Sequence, residues 1–152
     1  MTRKKPPIIS NRQALRDFYV EKPVEAGLQL SGSEVKSLRA GKGNLKGSFA
    51  RVENGEMFLY NMHISPYEFS RESYDPLRPR KLLLRKSEIR HLESASNRRG
   101  YTLVPLKVYF NHGYAKVELA VARGKRLYDK RAALKEKTVQ REIEREVFRR
   151  KA

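Results

Sequence analysis

A two-residue turn constrains the fold of this chain more than any other feature of its sequence. Asn54-Gly55 joins two apolar-rich runs, residues 48–53 and 56–62. Asparagine and glycine tolerate the positive φ angles that a two-residue hairpin turn requires. The pair therefore predicts two neighbouring antiparallel strands.

A second hairpin is predicted where an Asn-His-Gly turn at 111–113 joins residues 103–110 to residues 114–122. Apolar residues alternate along the second of these runs, which is the pattern of a strand with one buried face. Pro105 lies within the first run and removes a backbone donor. That end is therefore predicted to be a sheet edge or a bulge.

The first third of the chain predicts two more strands and a helix. Residues 18–20 and 24–30 alternate in the same way. Ser31 can then accept from a backbone N–H at a helix start, while Glu34 reaches back to the first residue of the helix. Gly41 is suited to the left-handed conformation that ends such a helix.

These segments predict a mainly β fold of about six antiparallel strands with two to three short helices, one of them over residues 87–96. An open sheet of this size would expose its edges, so a closed, OB-like β-barrel is predicted. We expect residues 1–10 to be a flexible basic arm and residues 11–123 to form the barrel. Residues 124–152 are too poor in apolar side chains to build a core, so they are predicted to be a basic tail that is disordered when free.

The charge of the chain points to a polyanionic partner. Lys and Arg number 34 against 17 for Asp and Glu, which gives a formal net charge of +17 over 152 residues. Such a surplus raises self-repulsion unless an anionic partner offsets it. RNA is favoured over duplex DNA because the sequence shows no helix-turn-helix, zinc finger or basic zipper.

Several classes of protein are disfavoured by what the sequence does not contain. There is no cysteine, and the three histidines lie far apart in different segments, so neither a metal nor another cofactor is predicted. No run approaches the roughly 18 apolar residues of a membrane span, and the first residues lack the apolar stretch of a signal peptide. We therefore expect a cytoplasmic protein without membrane contacts. No carboxylate pair or glycine motif has a spacing that supports catalysis, so the protein is not predicted to be an enzyme.

The densest groups of basic side chains within the predicted barrel are candidates for RNA contacts. A single exposed lysine usually serves only to keep a surface solvated, which is the alternative for each of them. One group surrounds the first helix and the other follows a long aromatic-bearing loop; they comprise Lys36, Arg39, Lys42 and Lys46, and Arg78, Arg80, Lys81, Arg85 and Lys86.

Local sequence strings add a family resemblance. Three of them are Gly32-Ser-Glu-Val-Lys-Ser-Leu-Arg-Ala-Gly-Lys, Asp75-Pro-Leu-Arg-Pro-Arg-Lys-Leu-Leu-Leu and Ala122-Arg-Gly-Lys-Arg-Leu-Tyr-Asp-Lys-Arg. In this order and spacing they closely resemble the SsrA-binding proteins, the SmpB family. The resemblance runs from about residue 11 to residue 131.

The resemblance implies a bacterial partner of transfer-messenger RNA (tmRNA) that rescues stalled ribosomes by trans-translation and catalyses no bond change. The barrel would bind the tRNA-like domain of this RNA and substitute for the anticodon arm that the RNA lacks. Further implied partners are the 30S subunit with the 16S rRNA decoding centre and, indirectly, alanyl-tRNA synthetase and elongation factor Tu. The protein would act as a monomer. The alternative is a ribosomal protein or translation factor with the same barrel that binds rRNA without tmRNA.

The resemblance also implies which residues contact tmRNA. Asn11 could equally cap a helix or turn, and the run of leucines at 82–84 could be core, although strand alternation permits one of the three to face outward. A carboxylate can accept from a base amino group, and an exposed leucine can pack on a base. The implied positions are Asn11, Glu25 and Leu83, with basic support from Lys36, Arg39, Lys42 and Lys81.

The predicted tail resembles the family segment that enters the empty mRNA channel at the decoding centre. Its basic residues would contact phosphates, Tyr128 would stack on a base, and the segment would become helical on the ribosome. A merely solubilising tail is the alternative. The implied decoding-centre residues are Gly124, Lys125, Arg126, Tyr128, Asp129, Lys130 and Arg131.

Overall fold

The structure, a computed structural model, describes residues 6–68 and 75–125. The chain starts with β1 (Ile9–Ser10), α1 (Arg12–Asp17), β2 (Phe18–Val20), β3 (Val24–Leu28) and α2 (Gly32–Arg39). It continues with β4 (Gly43–Asn44), β5 (Phe49–Glu53), β6 (Glu56–Tyr60), β7 (His63–Ile64) and β8 (Arg80–Leu83). It then forms α3 (Lys86–Ser96), β9 (Tyr101–Asn111) and β10 (Tyr114–Gly124).

Six of the strands close into an antiparallel barrel, which confirms the predicted fold class. Their order is β9, β5, β6, β8, β3 and β10, and β10 pairs with β9 to complete the circle. The closure is uneven, because β9 and β10 pair along nearly their whole length, whereas β5 meets β9 through the single residue pair Ala50 and Leu103. The short strand β1 pairs with residues 107–108 of β9, and β2 pairs with residues 122–124 of β10. Strands β4 and β7 pair with each other in a separate two-stranded sheet.

Both predicted hairpins are present, the first with its predicted turn and the second with a turn one residue shorter than predicted. Asn54 and Gly55 have φ angles of 51° and 77°. In the second hairpin the turn consists of His112 and Gly113, with φ angles of 51° and 80°, because Asn111 already pairs with Tyr114. Neither turn strains the backbone, since asparagine, histidine and glycine are the residue types that adopt positive φ most readily.

The bulge predicted at Pro105 is confirmed. Glu118 pairs with Lys107, but the next residue, Leu119, pairs with Pro105, so Leu106 is an extra residue on β9. A bulge bends a strand and leaves local backbone groups unpaired. The freed carbonyl of Leu106 accepts a hydrogen bond from the backbone N–H of Asn11 at 2.8 Å.

The beginning of the chain is more ordered than the sequence indicates. Ile9 and Ser10, which fall in the predicted flexible arm, pair with Val108 and Lys107 of β9. The unpredicted helix α1 follows, and its buried Ala14 packs with Val104 and Ala122 in a small second core. The β9 bulge makes this docking possible, since it offers free backbone groups at the point where the chain passes.

The predicted start of α2 is confirmed. The Ser31 hydroxyl accepts from the backbone N–H of Glu34, while the Glu34 carboxylate accepts from the backbone N–H of Ser31. Gly41, with a φ of 76°, lies directly beyond the helix end. The second predicted helix is also present as α3, with Ile89 and Leu92 buried.

The main core fills the barrel and is sealed by α2 and α3. Its composition follows strand alternation, since the apolar side of each barrel strand points inward. Two charged side chains, Glu34 and Arg80, are buried among the apolar ones. The most fully buried apolar side chains of this core larger than alanine are Leu38, Leu45, Met57, Leu59, Met62, Ile64, Leu82, Val108, Val117 and Leu119.

The barrel extends past its predicted end at residue 123. Gly124 is the last residue of β10 and pairs with Phe18, and the backbone N–H of Lys125 donates to the carbonyl of Asp17 at 2.8 Å. Both residues were assigned to the tail because the composition changes there, but Gly124 still pairs with β2 and Lys125 still bonds to the end of α1. The other predicted tail residues, Arg126, Tyr128, Asp129, Lys130 and Arg131, lie outside the described residues.

Candidate nucleic-acid interface

The outer face of β8, β3, β10 and β9 brings together three of the residues that the sequence assigns to RNA binding, Glu25, Leu83 and Lys81. Side chains alternate between the two faces of a strand, so Glu25 points outward while its neighbour Ala26 is buried. Leu83 points outward from β8 and pairs in register with Gly27 of β3. Glu25 and Gly27 lie two residues apart on the same face of β3, so Leu83 and Glu25 share this outer face of the barrel.

Leu83 is the outward-facing residue of the three leucines, as predicted. It is 53% exposed, whereas the preceding Leu82 is 1% exposed. A β-carbon at Gly27 would lie 3.1 Å from the β-carbon of Leu83 and 3.4 Å from its Cδ1. The missing side chain at position 27 therefore lets Leu83 lie against the sheet and present an apolar surface to solvent.

Glu25 is part of a hydrogen-bonded group on the same face. The Tyr109 hydroxyl of β9 donates to Oε2 of Glu25 across the intervening strand β10. Burial, together with this hydrogen bond, raises the pKa of Tyr109 above its ordinary value of 10, so the phenol remains a donor at neutral pH. Glu118 of β10 lies directly opposite Glu25 in register, and its carboxylate is 3.4 Å from Nζ of Lys107.

Lys81 supplies positive charge to the same face. It lies two residues before Leu83 on β8, and its Nζ is 3.3 Å from a carboxylate oxygen of Glu56. Both side chains are partly exposed, so solvent screens this pair, and it contributes little to stability. The ammonium group therefore remains available to a phosphate.

The remaining predicted basic contacts form a second group on α2 and the turn that follows it. Lys36 and Arg39 are exposed and lie over aromatic rings, Lys36 at 5.5 Å from the centre of Tyr67 and Arg39 at 5.5 Å from the centre of Phe110. Lys42 is exposed beyond the helix end. A cation held over a ring loses less freedom on binding a phosphate than a freely rotating side chain.

Asn11 differs from the other predicted contacts because the structure confirms the helix-cap alternative. Its Oδ1 accepts from the backbone N–H of Ala14 at 3.2 Å, and its Nδ2 donates to the carbonyl of Pro105 at 2.8 Å. The residue is 6% exposed. Its side chain joins α1 to the β9 bulge, and a direct RNA contact by Asn11 stays a prediction.

Arg80 corrects the set of basic candidates. It is fully buried, with Nε 2.7 Å from Oε2 of Glu34, and it also donates to the carbonyls of Met62 and Pro76. Arg78 donates to the same carboxylate from the protein surface. Arg80 therefore fixes the start of β8 against α2 and offers no charge to an RNA.

Glu34 is ionised within this cluster. Burial alone would raise the pKa of its carboxyl group, but hydrogen bonds from Arg78, from the backbone of Ser31 and from Arg80 outweigh burial and hold the pKa below its ordinary value. The buried charge is therefore matched by two guanidinium groups and one backbone donor.

Sequence reasoning missed Tyr109, Lys107 and Glu118 as members of the interface. All three occupy outward positions of alternating strands, which the sequence pattern does indicate. Their relation to Glu25 depends on strand register, however, since 84 positions separate Glu25 from Tyr109. Strand alternation alone could not pair these residues.

The end of β10, where the predicted tail begins, is held against Tyr19 and α1. The guanidinium of Arg123 and Nζ of Lys125 each lie 5.1 Å from the centre of the Tyr19 ring. Together with the backbone bond from Lys125 to Asp17, these contacts fix the end of β10 beside α1.

The described part of the chain contains neither a candidate metal site nor a membrane-spanning helix. In residues 6–68 and 75–125, no three His, Asp or Glu side chains converge in a way that could hold a metal ion. Over the same ranges, no helix has the length and apolar character needed to cross a membrane.

Comparisons with known proteins agree with these features. The SsrA-binding protein of Geobacillus thermodenitrificans is 58% identical over 139 residues, which cover 91% of this chain and 90% of that protein. The SsrA-binding protein of Staphylococcus aureus is 53% identical over 150 residues and covers 97% of both chains. A solved chain described under "tmRNA-SmpB: a journey to the center of the bacterial ribosome" has a TM-score of 0.70 and 52% identity, covering 84% of this chain and 94% of that one. The family model described as SmpB protein matches residues 8–149, and the chain therefore belongs to the SmpB family.

Proposed function

We propose that this protein binds the tRNA-like domain of tmRNA and delivers it to stalled ribosomes for trans-translation. One observation carries the proposal. The outer barrel face brings together the exposed Leu83, the Glu25 carboxylate that accepts from Tyr109, and lysines, and the chain as a whole has a net charge of +17. Membership of the SmpB family supports it, since relatives are named SsrA-binding proteins and a similar chain is described with tmRNA and the bacterial ribosome.

Different residues of the interface provide affinity for RNA and recognition of its bases. Lys81 on the barrel face, and the exposed Lys36, Arg39 and Lys42 at α2, contact phosphates and supply most of the salt-dependent affinity. Leu83 packs on an unstacked base, and Glu25 accepts a hydrogen bond from a base edge. The protein binds and positions RNA and changes no covalent bond.

The segment after the barrel acts at the decoding centre of the 30S subunit. Because Gly124 and Lys125 are fixed beside α1, the chain that follows starts from one point on the barrel. Residues 126–152 enter the empty mRNA channel, where Arg126, Lys130 and Arg131 contact 16S rRNA phosphates and Tyr128 stacks on a base, with Asp129 beside them. Alanyl-tRNA synthetase and elongation factor Tu take part indirectly, through the RNA, in the cytoplasm.

Binding to the isolated tRNA-like domain in the presence of excess bulk tRNA tests the first part of this proposal. The protein should show saturable, nanomolar binding that bulk tRNA does not abolish. Leu83→Ala should weaken binding by roughly 1–3 kcal/mol, the usual scale for a base contact. Leu77→Ala is a matched control, because Leu77 is 49% exposed but lies outside this barrel face. Equal competition by bulk tRNA, or equal effects of the two substitutions, contradicts the proposal.

A scrambled tail tests the second part. Residues 128–150 are rearranged with their composition preserved, so that net charge and solubility stay constant. Binding to the tRNA-like domain should persist, while tag addition on stalled ribosomes should be lost. Full tagging by the scrambled protein would show that the segment serves only solubility.

A further inference from the structure

Two carboxylates face one another on the proposed RNA-binding surface of a strongly basic protein. Glu25 of β3 and Glu118 of β10 are directly opposed in register. Like charges in this arrangement destabilise a sheet. Lys107 offsets the charge of Glu118, and the Tyr109 hydroxyl donates to Glu25.

The Tyr109 side chain spans the surface between β9 and β3. In register, Tyr109 pairs with Lys116 of β10, and Lys116 pairs with Gly27 of β3. The ring therefore crosses β10 to reach Glu25, and Nζ of Lys107 lies 5.5 Å from the ring centre. Its one hydroxyl proton is used on Oε2 of Glu25.

The hydrogen bond leaves the Glu25–Tyr109 pair able only to accept further hydrogen bonds. Oε1 of Glu25 has no donor within the described part of the chain, and the phenolic oxygen retains its lone pairs. A phosphate is repelled by this pair, whereas an amino group of a base is attracted. The apolar surface of Leu83 lies on the same face, opposite Gly27, which is two residues from Glu25 on β3.

We propose that Tyr109 is a positioning residue that determines base specificity, holding Glu25 so that its free oxygen accepts from the exocyclic amino group of an unpaired base resting on Leu83. The inference rests on the proposed RNA-binding function and deepens it. Adenine, cytosine and guanine carry the required amino group. Uracil is disfavoured, because its imino N–H lies between two carbonyl oxygens that a carboxylate repels.

A double-mutant cycle with the tRNA-like domain tests whether Tyr109 acts through Glu25. Tyr109→Phe removes only the hydroxyl and should weaken binding roughly three- to tenfold, as expected for one hydrogen bond. In a Glu25→Ala background the same change should have no further effect. Tyr114→Phe, at an exposed tyrosine of β10, is the matched control and should bind like the wild-type protein.

Base substitution in the RNA distinguishes a role of Tyr109 in base specificity from a purely structural role. Each unpaired base of the domain is replaced in turn by uracil or by an analogue without its amino group. Wild-type protein should lose affinity at one position, and Tyr109→Phe should lose much of this discrimination, whereas a loss of stability alone would weaken binding equally for every base.

The outcomes separate this inference from the proposed function. If wild-type protein fails to distinguish the tRNA-like domain from bulk tRNA, the proposed function is wrong, and the inference falls with it. If the wild-type protein binds selectively but Tyr109→Phe binds equally well, only the inference is overturned. Equal weakening with and without Glu25 overturns it too, because Tyr109 would then act independently of the carboxylate.

Discussion

Replacing Arg80 by methionine should destabilise the barrel far more than removal of a surface ion pair. Arg80 and Glu34 are both fully buried, and the guanidinium also satisfies the carbonyls of Met62 and Pro76. Methionine preserves much of the side-chain volume but removes the donor to the Met62 carbonyl and one of the two donors to the Pro76 carbonyl, which keeps the backbone N–H of Ile64. It also leaves the Glu34 carboxylate with one guanidinium instead of two. Removing one partner of a buried ion pair costs about 3–5 kcal/mol in the free energy of unfolding.

Urea unfolding at pH 7, followed by circular dichroism, measures this loss. Arg51→Met is the matched control, because Arg51 and Glu53 form an ion pair with side chains 60% and 41% exposed. Solvent screens such an exposed pair, so its loss should change the free energy of unfolding little. If Arg80→Met loses no more stability than Arg51→Met, the buried cluster does not hold β8 to α2 as described.

The acid dependence of stability provides a second measurement on the same cluster. The pKa of Glu34 is lower in the folded protein than its ordinary value of 4.5. The ionised carboxylate therefore contributes stability that is fully present above this value and is lost as pH falls through the folded pKa. Glu34→Gln should reduce the acid-induced loss of stability between pH 4.5 and the folded pKa, although it lowers stability at neutral pH.

Three further substitutions test the interface. Gly27→Ala should weaken binding to the tRNA-like domain, because the new β-carbon would lie 3.1 Å from that of Leu83 and displace the Leu83 side chain. Gly32→Ala is the control and should leave binding unchanged, because the new β-carbon would meet nothing within 4 Å. Asn11→Ala should lower the free energy of unfolding by about 1–2 kcal/mol through loss of the helix cap, and unchanged RNA affinity would rule out a direct contact. Lys42→Ala should reduce by about one the slope of log affinity against log salt concentration, and an unchanged slope would remove it from the interface.

Features that depend on residues close in sequence could be predicted well. The Asn54-Gly55 turn and the Ser31 capping box each consist of a few consecutive residues whose chemistry suits one local geometry. Barrel closure could be predicted because exposed strand edges are unfavourable. Helix α1 was missed since its six residues are too few to show a helical period.

Features that depend on distant residues could not be predicted. Arg80 stands in a basic string and reads as a surface residue, yet its partner Glu34 lies 46 positions away. The prediction that Gly124 begins the tail relied on a change in composition, whereas its pairing with Phe18 is a tertiary contact. The predicted roles of Arg126, Tyr128, Asp129, Lys130 and Arg131 stay predictions, as these residues lie outside the described part.

The single residue pair between β5 and β9 has a consequence for how the barrel moves. Ala50 and Leu103 form the one register pair there, so the barrel at this point is held shut mainly by side-chain packing. Openings of native proteins start where few backbone hydrogen bonds must break. Amide protons of β5 that face β9 should therefore exchange with solvent before those between β9 and β10. The barrel then opens locally between β5 and β9, while the β9–β10 hairpin that carries Tyr109 stays paired.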